Sequence, residues 1–263
     1  MNRIKKIMIA MIVIISLVSI IVLIQNGNEV TKTTKENEKN NTKNLDSNQS
    51  RIEENRKKSE NNKTPEYVVV IDPGHGGYDI GATSLNSEHF EKEISLDVSK
   101  QVGEKIQALD SNIKIVFTRQ NDNVTWGLNN HEDLQTRVSI SSENKADLFI
   151  SLHMNAYKDN KISGFESWIN STDEESKCIS NKIIKELDSL NYTENRGQRC
   201  TSEFPLQVID TNSSPSVLVE MGFITSDKDL NFFTSEEGKE KIAEAIANAI
   251  IEHKNEGFVK KSV

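Results

Sequence analysis

Hydrophobic residues along this chain fall into short runs and spaced sets whose periods predict the elements they build. Tyr67-Val-Val-Val-Ile-Asp72 is a β-branched run closed by Pro73-Gly74, and Asn112-Ile-Lys-Ile-Val-Phe-Thr118 is a second such run; both predict strands. Between them Ile94, Val98, Val102, Ile106 and Leu109 recur every three to four residues, which predicts an amphipathic helix from Glu91 to Leu109 and so a β-α-β unit. The pattern continues with a helix from His131 to Asn144, a strand from Asp147 to Leu152, a strand from Gly164 to Ile169, and a helix from Glu174 to Leu190. A strand from Ser216 to Glu220 and two helices, about Lys228 to Phe233 and Ser235 to His253, complete it. Strands alternating with helices predict an α/β domain, a mainly parallel sheet covered by helices on both faces.

The first 66 residues follow neither period. Ile7 to Ile24 is an unbroken uncharged run preceded by Arg3, Lys5 and Lys6, which predicts a membrane anchor with its basic end inside. A cleaved signal peptide is the alternative, but its apolar core is normally about 7 to 15 residues long and ends in small residues. Leu23-Ile24-Gln25-Asn26 offers no such site. From Gln25 to Glu66 the chain is built of Asn, Lys, Glu, Thr and Ser, so it cannot bury enough surface to offset its chain entropy. The expected organisation is an anchor at 1–24, a disordered polar linker at 25–66 and one extracytoplasmic domain at 67–263, with no internal repeat.

Charge is as uneven as hydropathy. The 12 basic and 8 acidic residues up to Glu66 leave 20 basic and 32 acidic in the domain, a net charge of −12. Such a surface excludes nucleic acid as a main partner and keeps the domain soluble. Cys178 and Cys200 are too few for a disulfide framework and have no partners at metal-ligand spacing.

In sheets of this class the ligand crevice lies beyond the carboxyl ends of the strands, where the polar residues of interest fall. His75 follows the first strand in Asp72-Pro-Gly-His-Gly-Gly77, His153 follows Leu148 to Leu152, Glu220 follows Ser216 to Val219, and Glu91 starts the first long helix. Taken singly, each has an ordinary reading: a surface histidine in a glycine turn, a glutamate favouring a helix dipole, a solvated residue past a strand, a histidine satisfied at a sheet edge. Taken together, two histidines and a carboxylate suit a catalytic zinc with an open position, and a second carboxylate suits proton transfer. The glycines around His75 let backbone approach closely. Asp72 and Asn155 are candidates for supporting hydrogen bonds, or for capping their own loops.

At these residues the sequence resembles the zinc-dependent N-acetylmuramoyl-L-alanine amidases of the type 3 family. The likeness covers essentially all of residues 67 to 254 and rests on VVVIDPGHGGYDIGA, EKEISLDVS, FTR, ADLFISLHMNA, SGFESWIN and SPSVLVEMGFITSDKD, in that order. The resemblance implies a six-stranded α/β domain that hydrolyses the amide between the lactyl group of N-acetylmuramic acid and L-alanine of the stem peptide in peptidoglycan. It matches His75, Glu91 and His153 to the zinc ligands, and Glu220 in VEMGF to the catalytic glutamate. For Glu91 the EKE-x-x-L match decides among Glu88, His89 and Glu93 nearby; helix phasing does not.

The segment from His153 to Gly164 is too short for the inhibitory helix of some division amidases, which moves control elsewhere, an activator protein included. A single-domain, membrane-anchored amidase without wall-binding repeats also resembles the sporulation and germination amidases that prepare spore cortex for muramic-δ-lactam synthesis. Two other functions remain open on the residues alone: a zinc peptidase acting on stem peptides, which the same ligand set supports, and a non-catalytic wall-binding homologue. Arg119, Arg137 and Glu166 lie in matched blocks, either as groove residues or as ion-pair partners.

Overall fold

The computed structural model describes residues 67–257 apart from Thr125 and Leu128. The expected anchor at 1–24 and linker at 25–66 lie outside the described residues. Among those described, no helix is long and apolar enough to cross a membrane.

The β-branched runs form β1 (Tyr67–Pro73) and β2 (Ile113–Phe117), followed by β3 (Leu148–Asn155), β4 (Phe165–Ile169), β5 (Asn195–Cys200) and β6 (Ser216–Phe223). They make one sheet in the order β2-β1-β3-β6-β4-β5. Every neighbouring pair is parallel except β4 with β6, so the sheet is mixed and its antiparallel pair carries the last two strands. The helices are α1 (Glu91–Leu109), α2 (Asn130–Glu143), α3 (Glu174–Ser189), α4 (Gln207–Asp210), α5 (Asp227–Thr234) and α6 (Glu236–Asn255).

Alternation along the strands divides the interior in two. Val69 and Ile71 of β1, Ile150 and Leu152 of β3, and Val217 and Val219 of β6 pack with α1, α3 and α6 in the larger core. The intervening Val70, Phe149 and Leu218 meet α2 and α4 in a smaller one. Continuing the alternation sends Ser151, His153 and Glu220 to the side of the smaller core, where the helical cover is thin. One face therefore holds the fold together while the other is left for chemistry.

Side chains of Asn129, Asp173, Ser226 and Ser235 cap α2, α3, α5 and α6. At α1 the cap residue Phe90 has no such group. The loop before it does the work instead, with Ala82 O accepting from Glu91 N at 2.9 Å and Ile80 O from Lys92 N at 3.3 Å.

The expected fold class holds, and three details differ. β5 (NRGQRC) and the short α4 carry too few hydrophobic residues to register as periodic; β5 is an edge strand of exposed and half-buried residues. β3 and β6 run on past Leu152 and Glu220, so that His153 and Glu220 lie within strands as register partners, ahead of a register shift before Asn155↔Phe223. The apolar runs stop earlier than the strands because backbone pairing does not require apolar side chains. The connection from Asn155 to Phe165 contains no helix, as its length predicts. Both cysteines are free.

Asp229, fully buried at the start of α5, accepts from Gly164 N at 3.0 Å and Phe223 N at 2.9 Å and so joins the entrance of β4 to the exit of β6. Asp229→Ala leaves two buried amides without an acceptor, a loss of about 2 kcal/mol or more. The expected result in a thermal melt is a Tm lower by about 4–8 °C.

Candidate metal centre

The centre is organised by the turn that ends β1. His75 takes a left-handed backbone conformation, φ 62°, costly for a residue with a side chain. Arg137 opposes that strain: its Nη2 donates to His75 O at 2.8 Å and its Nη1 to Pro73 O at 3.0 Å and Asp72 Oδ1 at 2.7 Å. Arg119 grips the same turn from the other side, donating through Nε to Pro73 O at 3.0 Å and through Nη2 to Gly74 O at 2.7 Å. Burial works against the charge of Asp72, but Arg137 and the hydroxyls of Thr118 and Ser151 prevail and hold its carboxyl below the usual carboxylate range.

Two glycines make room. A Cβ on Gly74 would lie 2.3 Å from the His153 ring, and one on Gly81 would lie 2.6 Å from the His75 ring and 2.7 Å from Glu91 Oε2. With those contacts clear, the two imidazoles meet edge to face, centroids 4.9 Å apart.

Glu91 lies between them. Its Oε1 is 2.9 Å from His75 Nε2 and 2.9 Å from His153 Nδ1, and accepts from Met154 N at 3.0 Å; its Oε2 accepts from Ala82 N at 2.8 Å. Burial opposes ionisation of Glu91, yet hydrogen bonds with His153 and His75 lower it well below the carboxylate range. Asp79 Oδ2 stands 2.7 Å from His75 Nδ1, which keeps a proton on Nδ1 and so leaves Nε2 as the ring atom free to bind a metal once its own proton is lost. Burial likewise opposes a proton on His75, but Glu91 and Asp79 raise its pKa to about 9.

His75, Glu91 and His153 each offer one ligand atom, and all these atoms lie within 4.8 Å of one another. The donor set of two imidazoles and a carboxylate, each steadied by further hydrogen bonds, fits a single zinc ion. Beside it, across the β3–β6 ladder from His153, stands Glu220. Its Oε2 is enclosed with no hydrogen-bond partner among the described residues. Burial first, then the charges of Glu91 and Glu166, push the Glu220 carboxyl well above its ordinary pKa. A cavity of about 150 Å³ reaches His75 and His153 between Leu134, Leu206, Val208 and Leu218.

All four residues expected at the site are thus brought to one region. Asp72 supports the turn from below, and Asn155 donates to Glu166 Oε1 at 3.4 Å; neither reaches a candidate ligand. Arg119 and Arg137 prove to be clamps on backbone, with Arg137 also paired to Asp72 and Asp133. Asp79, which orients His75, was not singled out from the sequence; its signal was an acid four residues after a candidate ligand, inside the same glycine-rich block.

Comparison with known proteins agrees with this geometry. The family model described as N-acetylmuramoyl-L-alanine amidase, Amidase_3, matches residues 69–252. The chain is 38% identical to YqiI of Bacillus subtilis (strain 168) over 185 residues, 70% of this chain and 82% of that protein. It is 27% identical to the germination-specific N-acetylmuramoyl-L-alanine amidase of the same organism over 194 residues, 71% and 79% of the two chains. Among solved structures, the CwlD amidase from Clostridioides difficile, in complex with the GerS lipoprotein, superimposes with a TM-score of 0.65 at 29% identity, over 73% of this chain and 100% of that one. The chain, with its His/Glu/His cluster, belongs to the Amidase_3 family and is a zinc-dependent N-acetylmuramoyl-L-alanine amidase.

Proposed function

We propose that His75 Nε2, a Glu91 carboxylate oxygen and His153 Nδ1 hold the zinc, and that Glu220 moves the proton when the bond between N-acetylmuramic acid and L-alanine is cleaved. The observation that carries this division of roles is the enclosed Glu220 Oε2, unpartnered beside three converging ligand atoms. When bound, zinc polarises the lactyl carbonyl, lowers the pKa of a water molecule to about 7 and by its charge draws Glu220 back towards ionisation. Glu220 accepts a proton as water attacks the carbonyl carbon and returns it to the L-alanine nitrogen as the C–N bond breaks. Asp79 keeps the His75 ring turned inward throughout. Leu134, Leu206, Val208 and Leu218 border the cavity that reaches His75 and His153 and limit the water on that side of the site.

Peptidoglycan is the substrate that family membership supports. The expected anchor and linker, with residues 67–263 as the catalytic domain, support a working position outside the membrane and tethered to it. Likeness to a germination-specific amidase supports a role in spore cortex. Likeness to an amidase solved with a lipoprotein supports control by an activator protein.

Glu220→Gln is expected to lower turnover of purified peptidoglycan by about 10²–10⁴-fold, read as release of peptides beginning with L-alanine; a variant as fast as the parent would remove Glu220 from the mechanism. The same substitution is expected to stabilise the zinc-free protein. A carboxyl whose folded pKa is raised adds stability fully below its unfolded pKa, near pH 4.5, and loses it as pH rises towards the folded value. The gain in Tm is therefore absent near pH 4 and present at pH 8. Melting curves at the two pH values, run with chelator, check the sign.

Zinc must displace the proton that Glu91 and Asp79 favour on His75, whose pKa is about 9. Uptake is therefore expected to weaken as pH falls below that value, by up to about tenfold per pH unit. Chelator competition at pH 6, 7 and 8 measures it, and an affinity independent of pH would contradict His75 as a ligand.

A further inference from the structure

Beyond Glu220, the same sheet face carries two arginines that the hydrolytic step does not use. Glu166 is the register partner of Glu220 in the β4–β6 ladder. Its Oε1 accepts from Trp168 Nε1 at 3.2 Å and from Asn155, and its Oε2 accepts from Arg196 Nε at 3.2 Å and Arg199 Nε at 3.4 Å. Two guanidinium groups share one carboxylate through Nε alone. Among the described residues their Nη nitrogens make no hydrogen bond, and the Arg196 and Arg199 side chains are 27% and 41% exposed against 6% for Glu166.

The backbone is bent to bring this pair together. Residues three apart on a regular strand point to opposite faces. Opposite β4, however, the register passes from Phe165↔Asn195 to Ser167↔Gln198, so β5 holds one extra residue in that interval, with Gly197 at φ 78°. The bulge turns Arg196 and Arg199 towards the same carboxylate, and Arg196 is further held with its Cζ 5.2 Å from the Phe223 ring centroid. One arginine would neutralise Glu166. The second leaves a surplus positive charge and a free set of donors on a domain that is otherwise strongly acidic.

We propose that Arg196 and Arg199 form a carboxylate-binding subsite for the peptide half of the substrate, taking the α-carboxylate of its second, γ-linked residue and so distinguishing the free acid from the amidated form. The proposal rests on the amidase reading above. β5 lies two strand spacings from β6, about 10 Å; an extended residue beyond L-alanine spans about 3.5 Å, and an arginine side chain bridges the remainder. Guanidinium donors suit a carboxylate and have no comparable preference for a neutral carboxamide.

The test is an NMR titration of the zinc-loaded full chain with L-alanyl-D-glutamate whose γ-carboxyl is capped as a methylamide, and with the α-amide of the same compound. The acid is expected to bind about tenfold more tightly. Arg199→Gln leaves Arg196 to hold Glu166, and it is expected to reduce the acid-to-amide ratio by at least about threefold. Arg196→Gln provides the same readout from the other partner. Equal affinities in the parent, or a smaller fall in both variants, overturn the subsite, since a purely structural role for the pair would not move the ratio. Failure of the parent to release L-alanyl peptides from peptidoglycan would count against the amidase reading, while the titration still judges the arginines.

Discussion

The structure of the site depends on the grip of two buried guanidinium groups on the turn after β1. A histidine in left-handed backbone between glycines has little of its own to hold it there. Arg137 and Arg119 together take the carbonyls of Pro73, Gly74 and His75, satisfying acceptors that would otherwise be buried and unpaired. Arg137 is paired with Asp72 and Asp133, and Asp72 is itself fixed by hydroxyls from Ser151 of β3 and Thr118 just after β2. Because the partners come from β1, β3, α2 and the segment after β2, the turn cannot shift without disturbing the sheet beneath it. A buried network of this kind is costly to leave half made, and the cost of an unmade bond is what gives His75 one position.

The carboxylates of the centre divide by environment. Glu91 is ionised because two imidazoles and two backbone amides surround it. Glu220, one strand over from His153, has none of these partners and is pressed towards the neutral acid first by burial and then by the charges of Glu91 and Glu166. Two glutamates in one pocket thereby acquire opposite duties, one to hold a cation and one to carry a proton, a separation of pKa values that acid–base catalysis requires. It leaves a buried polar atom unsatisfied, and stability is given up where the chemistry takes place.

Thin cover on the smaller core follows from the same need. The larger face is sealed by α1, α3 and α6, whereas the other is met by α2 and the single turn of α4. The sheet can place polar His153 and Glu220 on this side because the opposite face supplies most of the apolar burial.

Periodicity and motif alone established the α/β class, most of the elements, and the identities of His75, Glu91, His153 and Glu220 as the candidate set, since apolar spacing reports burial and these residue types report chemistry. They were silent on β5, whose polar residues are placed by backbone pairing to β4, and on the full reach of β3 and β6, whose ladders outlast their apolar runs. They also left Arg119, Arg137 and Glu166 undecided between groove and ion pair. Only the tertiary structure assigned the first two to backbone carbonyls and the third to a pair of arginines, and only it brought Asp79 to His75. A hydrogen bond between groups 79 residues apart, as from Ser151 to Asp72, leaves no period in a sequence; it exists only once the sheet has placed both ends.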